Sequence, residues 1–262
     1  MTISAPRSIR IIGPGRVGAA LATALERCGW EVRPFLGRGD SLTGAARDVD
    51  LLVIATNDDA IAEVSASIEP VETTVVAQVS GSLGLEVLRG HPLRAAIHPL
   101  TSIPDPEIGV QRLMSNTWFA LDANAPESNA MVISVVESLG GRWFTITDDQ
   151  RAEYHAAAAV ASNHMVALLA HAMRIADAVG APHEAYLELL RATIDNVEAM
   201  GLAEALTGPV ARGDWETVER HRRAIDESEL ELYDALVVAA RRLADSRGVG
   251  DDVVPPIDGA GR

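Results

Sequence analysis

Three glycines near the start of the chain constrain its fold more than any other feature. They follow the apolar run Ile9–Ile12 and open an amphipathic stretch that continues to Cys28. Their spacing suits a tight strand-to-helix turn, a close backbone approach to a pyrophosphate and a close helix–strand contact. The amides and the positive dipole of the helix start would then face the phosphates. We therefore predict dinucleotide binding by Gly13, Pro14, Gly15, Arg16, Val17 and Gly18.

The sequence up to residue 149 alternates short apolar runs with helical stretches. Several of the runs, such as Leu51–Ala55, are apolar without alternation, as expected for strands that helices cover on both faces. This pattern predicts an α/β domain over residues 1–149 with a Rossmann-type, mostly parallel sheet. The predicted strands are Ile9–Ile12, Val32–Leu36, Leu51–Ala55, Thr74–Val79, Arg94–Ile97, Thr117–Leu121 and Arg142–Thr145.

Strand signals end after residue 149, and residues 150–247 are predicted to form an all-α domain for substrate binding or dimerisation. Its helices are predicted at Ala152–Val179, Pro182–Met200, Trp215–Asp226 and Ser228–Ala244. The alanine-rich segment Ala156–Ala161 favours a buried helix that a neighbour can approach closely. The tail of residues 248–262, which is rich in glycine and proline, is predicted to be disordered.

Composition excludes several classes of partner. The chain has 37 acidic residues against 22 basic ones, all of which are arginine, and a net charge of -15. Such a charge repels nucleic acid and anionic membrane surfaces. No apolar stretch is expected to reach the ~18 residues of a membrane span, and no signal peptide is recognised. With a single cysteine, Cys28, the chain is expected to be cytoplasmic, and no spacing of residues predicts a metal site.

The end of the second predicted strand bears on cofactor choice. An acid about 20 residues after the last glycine of the fingerprint would bind a ribose 2′-hydroxyl, whereas an arginine would suit a 2′-phosphate. Arg38 stands in this region and favours NADP, while the nearby Asp40 keeps NAD possible. Thr56 and Asn57 follow the strand Leu51–Ala55, where we expect them beside the nicotinamide ribose. Asp58 or Asp59 is expected to cap the next helix.

Candidate catalytic side chains follow two later strands and one helix. Ser80 and His98 stand at predicted strand ends and could converge on one crevice, with Ser80 orienting the imidazole. A histidine there can exchange a proton with a carbonyl that receives hydride; a merely packed loop imidazole is the alternative. His155 and Asn163 lie eight residues apart on the long helix and form a polar stripe that needs partners or a ligand. His164 and His171 are expected to form a solvent or interface stripe.

Together these motifs resemble a family of Rossmann-fold oxidoreductases whose C-terminal helical domain has no known function. The resemblance rests on Gly13–Gly18, Ser80-Gly81, His98-Pro99-Leu100, Tyr154-His155-Ala156-Ala157 with Asn163, and Leu206–Asp214 with His221. The family is similar in turn to pyrroline-carboxylate reductases, ketopantoate reductases, prephenate dehydrogenases and hydroxyacid dehydrogenases. The resemblance implies NAD(P)-dependent hydride transfer at a site between the domains, and homodimers built through the helical half.

Two details of the resemblance bear on the site. Ser80 and His98-Pro99 are similar to the serine and His-Pro pair around the substrate of prephenate dehydrogenases. Ketopantoate and hydroxyacid reductases place a catalytic lysine four residues before an asparagine, but here Ala159 precedes Asn163 at that spacing. We therefore expect His98 or His155 to supply the proton in reducing a small carboxylated carbonyl or imine. Ketopantoate reduction and a non-catalytic NADP-binding sensor or partner subunit are the alternatives.

Overall fold

A computed structural model describes residues 7–246 and shows one seven-stranded sheet in their first part. The strands follow the order β2-β1-β3-β4-β5-β6-β7 across the sheet. All neighbours are parallel except β5 and β6, which confirms the predicted α/β fold with a mostly parallel sheet. The strands are β1 (Ser8–Ile12), β2 (Glu31–Val32), β3 (Leu51–Ile54), β4 (Val75–Gln78), β5 (Leu93–Pro99), β6 (Trp118–Ala123) and β7 (Arg142–Thr145).

Helices cover both faces of the sheet, as the continuous apolar strands require. One core cluster joins the sheet to α1, α3 and α4, and a second lies on the opposite face against α2. The sequence did not predict α3, because this helix has only eight residues and contains a glycine; Asp105 caps it through the amide of Ile108. The helices of this part are α1 (Arg16–Arg27), α2 (Asp58–Ala66), α3 (Pro106–Leu113), α4 (Pro126–Ser138) and α5 (Arg151–Ala159).

The chain divides into two compact units between Ala159 and Val160, whereas the sequence places the boundary at residues 149 and 150. The regular elements in the described residues of the second unit are all helical, and the unit opens with a five-residue π-helical segment, Val160–His164. Its α-helices are α6 (Met165–Asp177), α7 (His183–Met200), α8 (Leu202–Ala205), α9 (Trp215–Ala224) and α10 (Glu227–Asp245). The tail predicted to be disordered, residues 248–262, lies outside the described residues.

The alanine-rich segment is exposed, contrary to the expectation of a buried helix. Val160 is 56% exposed and Val166 is 69% exposed, because no element of the described chain covers them. The helical stretch Asp148–Asp177 contains an 18-residue window with a mean hydropathy of 1.3, so by length and composition it could cross a membrane. The expectation that no apolar stretch is long enough for a membrane span is therefore wrong. A single such helix is weak evidence for a membrane span.

The prediction for the two histidines His164 and His171 is also corrected. His171 does not belong to a solvent stripe with His164, because it is buried and its Nδ1 lies 2.6 Å from the carboxylate of Glu229. Arg174 donates to the same carboxylate, so this cluster ties α6 to α10 within the second unit.

Candidate active site

The glycine turn between β1 and α1 has the geometry expected of a phosphate-binding loop. Gly13 has a φ of +99°, and a Cβ there would stand 2.7 Å from the carbonyl oxygen of Ala55. A Cβ on Gly18 would stand 2.2 Å from the carbonyl oxygen of Gly13, so helix and strand meet too closely for any side chain. By contrast, no described atom outside the adjoining residues lies within 4 Å of a Cβ built on Gly15. This space opens at the amino terminus of a 12-residue helix.

The loop after β2 separates the roles of the two cofactor-selecting candidates. Asp40 Oδ2 accepts a hydrogen bond of 2.7 Å from the amide of Gly37 and thereby closes the turn. Arg38 stands exposed in the same turn, and its guanidinium forms no hydrogen bond or ion pair within residues 7–246. The carboxylate of Asp40 is therefore hydrogen-bonded to the backbone, whereas the guanidinium of Arg38 is free to bind an anion.

The loops after β3 and β4 are joined through a carboxylate. Asp58 Oδ2 accepts from the hydroxyls of Ser80 at 2.7 Å and Ser82 at 2.8 Å. Asn57 occupies the N-cap position of α2 without a side-chain hydrogen bond, and Thr56 precedes it at the end of β3. The expectation that Asp58 or Asp59 caps this helix is therefore wrong: Asn57 occupies the N-cap, and the two serine hydroxyls hold the carboxylate of Asp58.

Ser80 organises its own loop and does not orient His98. Its Oγ accepts from the amides of Ser82 at 3.1 Å and Leu83 at 3.2 Å while it donates to Asp58. These contacts occupy the hydroxyl, which corrects the expectation that Ser80 is the hydrogen-bond partner of the imidazole. The loop nevertheless reaches His98 through the next residue, Gly81.

The partner of His98 is Tyr154. Nδ1 of His98, near the end of β5, lies 2.5 Å from the phenol oxygen of Tyr154 on α5. The two rings are nearly perpendicular, with centroids 5.6 Å apart. Phe144 of β7 also packs edge-on against Tyr154, with the ring centroids 5.9 Å apart. Sequence reasoning passed over Tyr154 as a site residue, although it stands next to His155 in the motif Tyr154-His155-Ala156-Ala157.

His155 and Gly81 complete this cluster. The rings of His98 and His155 stand 6.4 Å apart in an edge-to-face arrangement. A Cβ on Gly81 would lie 2.9 Å from His155 Nδ1 and 3.0 Å from both Cε1 and Nε2 of His98. Both imidazoles therefore pack against a glycine, and only a glycine leaves room for them. Of the predicted catalytic residues, the structure thus brings together His98 and His155.

The surroundings keep His98 neutral. Its pKa falls to about 4, mainly because the ring is buried; the neighbouring His155 and Arg151 lower it further, and Asp58 opposes them. Burial raises the pKa of Tyr154 to about 12. At neutral pH the pair therefore consists of an uncharged imidazole and an uncharged phenol joined by a short hydrogen bond.

Arg151, which is only 2% exposed, anchors α5 beneath this cluster. Its guanidinium donates to Asp148 at 3.1 Å and to Asp122 of β6 at 3.2 Å. Asp148 in turn accepts from the amide of Leu85 in the loop after β4. Because Tyr154 stands one helical turn after Arg151, this network sets the position of its phenol. Burial raises the pKa of Asp122, and the hydrogen bond from Arg151 counteracts this effect.

The remaining predicted site residue, Asn163, belongs to the second unit. It lies in the π-helical segment, where its side-chain oxygen accepts from the hydroxyl of Ser162 at 3.2 Å. Such π-helical turns occur often at functional sites. The role of Asn163 toward a substrate stays a prediction.

The Leu206–Asp214 loop ends at the cap of the next helix, where Asp214 accepts a hydrogen bond from the amide of Thr217.

Comparison with known proteins agrees with this architecture. A Bacteroides fragilis protein provisionally assigned as an NADP oxidoreductase superposes with a TM-score of 0.75 at 22% identity, covering 90% of this chain and 98% of that one. A Thermotoga maritima protein gives a TM-score of 0.70 at 25% identity, covering 91% and 99%. Pyrroline carboxylate reductase of Plasmodium falciparum, solved with NADP bound, gives 0.59 at 14% identity, covering 91% and 98%.

No curated protein matches the chain significantly in sequence. Residues 117–240 match the family model described as a domain of unknown function, DUF2520. This match begins at the last two strands of the sheet and continues through the described helices almost to the end of α10. The chain therefore has a Rossmann-type fold, and its residues 117–240 are similar to a domain of unknown function.

Proposed function

We propose that the protein is an oxidoreductase that transfers hydride between NADP(H) and a small carboxylated carbonyl or imine. One observation carries the proposal: the open glycine turn and the His98–Tyr154 pair lie at the same edge of one sheet. Gly13 follows β1, and His98 stands near the end of β5; all strands from β1 to β5 are parallel. This is the edge at which open α/β sheets bind their ligands.

Three features support NADP(H) as the cofactor. Gly15 leaves space for a pyrophosphate at the amino terminus of α1, whose first turn contains no acidic residue. Arg38 is exposed and available for a 2′-phosphate, whereas Asp40 is engaged by the amide of Gly37. Relatives of similar fold include a pyrroline carboxylate reductase with NADP bound. NADP(H), when bound, supplies or accepts the hydride.

The residues that handle the substrate follow from the cluster around His98. We assign proton exchange to His98, a neighbouring contact to His155, and substrate contact to Asn163. Ser80 supports the site through Asp58 and the loop that carries Gly81. Ala159 stands where ketopantoate-type reductases carry lysine, so this chemistry depends on imidazole and phenol. We include a carboxylate in the substrate because the sequence motifs resemble those of reductases that act on carboxylated substrates.

We further propose that the protein is a homodimer built through its helical half. Neither α7 nor α10 contains a buried residue in the described chain. Leu189 is 62% exposed, and Leu232 and Val238 are exposed as well. Helices of this kind gain stability mainly by burying an apolar face, and a second copy offers a matching face.

We propose that the protein is located in the cytoplasm, because it has a single cysteine and the proposed cofactor is a dinucleotide.

A screen of NADPH oxidation over small keto acids and cyclic imines tests the proposed function. We expect turnover with at least one substrate, and we expect His98→Ala to abolish it while NADPH affinity stays within about twofold. His164→Ala, which changes an exposed histidine outside the cluster, serves as the control. NADPH binding without turnover across the screen would favour the sensor alternative. Full activity in His98→Ala would refute the role of this residue.

A further inference from the structure

We propose that Tyr154 is a positioning residue that relays a proton through the imidazole of His98 to the reduced substrate. The inference rests on the proposed reductase function and adds a residue that the sequence motifs did not assign. It is carried by the 2.5 Å contact between the phenol oxygen and His98 Nδ1, and by the glycine that stands beside the other ring nitrogen.

The direction of the hydrogen bond follows from the chemistry of the two groups. A phenol is a stronger donor than a neutral imidazole, and an imidazole nitrogen is a stronger acceptor than a phenol oxygen. Tyr154 therefore donates to Nδ1, which leaves the ring proton on Nε2 of His98. Gly81 stands beside Nε2, where a side chain on this residue would press against the nitrogen.

The charges around His98 favour a relay over a charged acid. His155 and Arg151 of α5 disfavour an imidazolium ion, Asp58 of α2 favours it, and burial decides against it. A neutral imidazole is a weak acid on its own, so loss of its Nε2 proton needs a simultaneous gain at Nδ1. The phenol of Tyr154 lies where it can supply that gain, and the ring then stays neutral throughout.

The protons and electrons of the step balance. As the substrate carbon gains hydride from the reduced cofactor, the π electron pair of its C=O or C=N bond passes to the oxygen or nitrogen. That atom takes the proton from His98 Nε2, and Nδ1 takes the phenol proton from Tyr154. The phenolate left behind regains a proton from water. The net consumption is one hydride and one proton per substrate.

Nitrogen-15 NMR of the histidine rings in the full-length protein tests the relay. In the wild type we expect neutral His98 to carry its proton on Nε2, with Nδ1 accepting a hydrogen bond. In Tyr154→Phe we expect the pKa of His98 to rise by about 0.5–1 unit, because a donor that stabilises only the neutral ring is lost. Tyr186→Phe, in the second unit, is the matched control and should leave the pKa unchanged.

The opposite results overturn the relay. A proton on Nδ1 in the wild type, or a pKa of His98 that falls or stays constant in Tyr154→Phe, means that the phenol does not donate to the ring. With any substrate that is turned over, Tyr154→Phe should lower kcat by roughly 10²-fold at an unchanged NADPH Kd; an unchanged kcat also overturns it. Failure of the wild type to bind NADPH refutes the proposed function instead, and the ring measurements tell the two failures apart.

Discussion

Replacing Gly81 by alanine should disrupt the catalytic cluster without touching the glycine turn. The new Cβ would stand 2.9 Å from His155 Nδ1 and 3.0 Å from Cε1 and Nε2 of His98. Ordinary contact needs several tenths of an ångström more at each atom. His155 is exposed and can swing away, but Tyr154 holds His98 from its other edge.

The cost of this substitution can be worked from these contacts. Overpacking of this kind typically costs about 1–3 kcal/mol, and a displaced His98 would also stretch its hydrogen bond to Tyr154. A displacement approaching 1 Å can lower turnover by roughly 10²-fold. We therefore expect Gly81→Ala to be destabilised by about 1–3 kcal/mol and to lose turnover while it still binds NADPH.

Urea denaturation, NADPH titration and histidine NMR together measure this effect. Gly90→Ala is the matched control, since no described atom outside the adjoining residues lies within 4 Å of its new Cβ and its φ is not positive. We expect this control to be neutral or slightly stabilised. If Gly81→Ala retains wild-type stability and unchanged His98 ring signals, the packing argument is refuted.

Four further predictions test other parts of the site. Gly15→Ala should fold normally, because its Cβ meets open space, but should lose NADPH affinity about tenfold in a fluorescence titration; unchanged affinity argues against a phosphate there. Arg38→Glu should weaken NADPH about tenfold and NADH hardly at all, and equal weakening contradicts a contact with the 2′-phosphate. Arg151→Met should lose about 3–5 kcal/mol of unfolding free energy because Asp122 and Asp148 lose their shared cation; a loss below 1 kcal/mol speaks against the anchor. Because the pKa of His98 is lower in the folded chain than in the unfolded chain, stability should fall by about 2 kcal/mol as pH drops from 7 to 4.5, and His98→Gln should remove that portion whereas His164→Gln should not.

The sequence predicted those parts of the fold that local pattern determines. Apolar runs identified the strands of the sheet, and β7 begins and ends where it was predicted. The strand predicted at Val32–Leu36 is wrong in extent, because β2 is only Glu31–Val32 and Leu36 forms an isolated bridge with Ile12. The glycine spacing identified the turn before α1, because backbone contacts as close as that of Gly18 with Gly13 exclude other residues. The short helix α3 was missed, because eight residues with a proline start and an internal glycine give little helical periodicity.

The contacts within the site were harder to predict, because they join residues far apart in sequence. His98 and Tyr154 are separated by 56 positions, and Asp58 and Ser80 by 22. Strand ends indicated that Ser80 and His98 share an edge, but not that Asp58 would occupy the serine hydroxyl. The contact of Tyr154 with His98 depends on the packing of α5 against β5 and β7, which the local sequence pattern does not predict.

Parallel titrations with NADPH and NADH test most directly whether the glycine turn and Arg38 form a binding site for NADP(H). Nicotinamide fluorescence measured on the full-length protein gives both dissociation constants under one set of conditions. We predict saturable binding of NADPH with a Kd at least roughly tenfold lower than that of NADH. Absence of NADPH binding would contradict the account of the fold's function, and equal affinity for the two cofactors would contradict the role of Arg38.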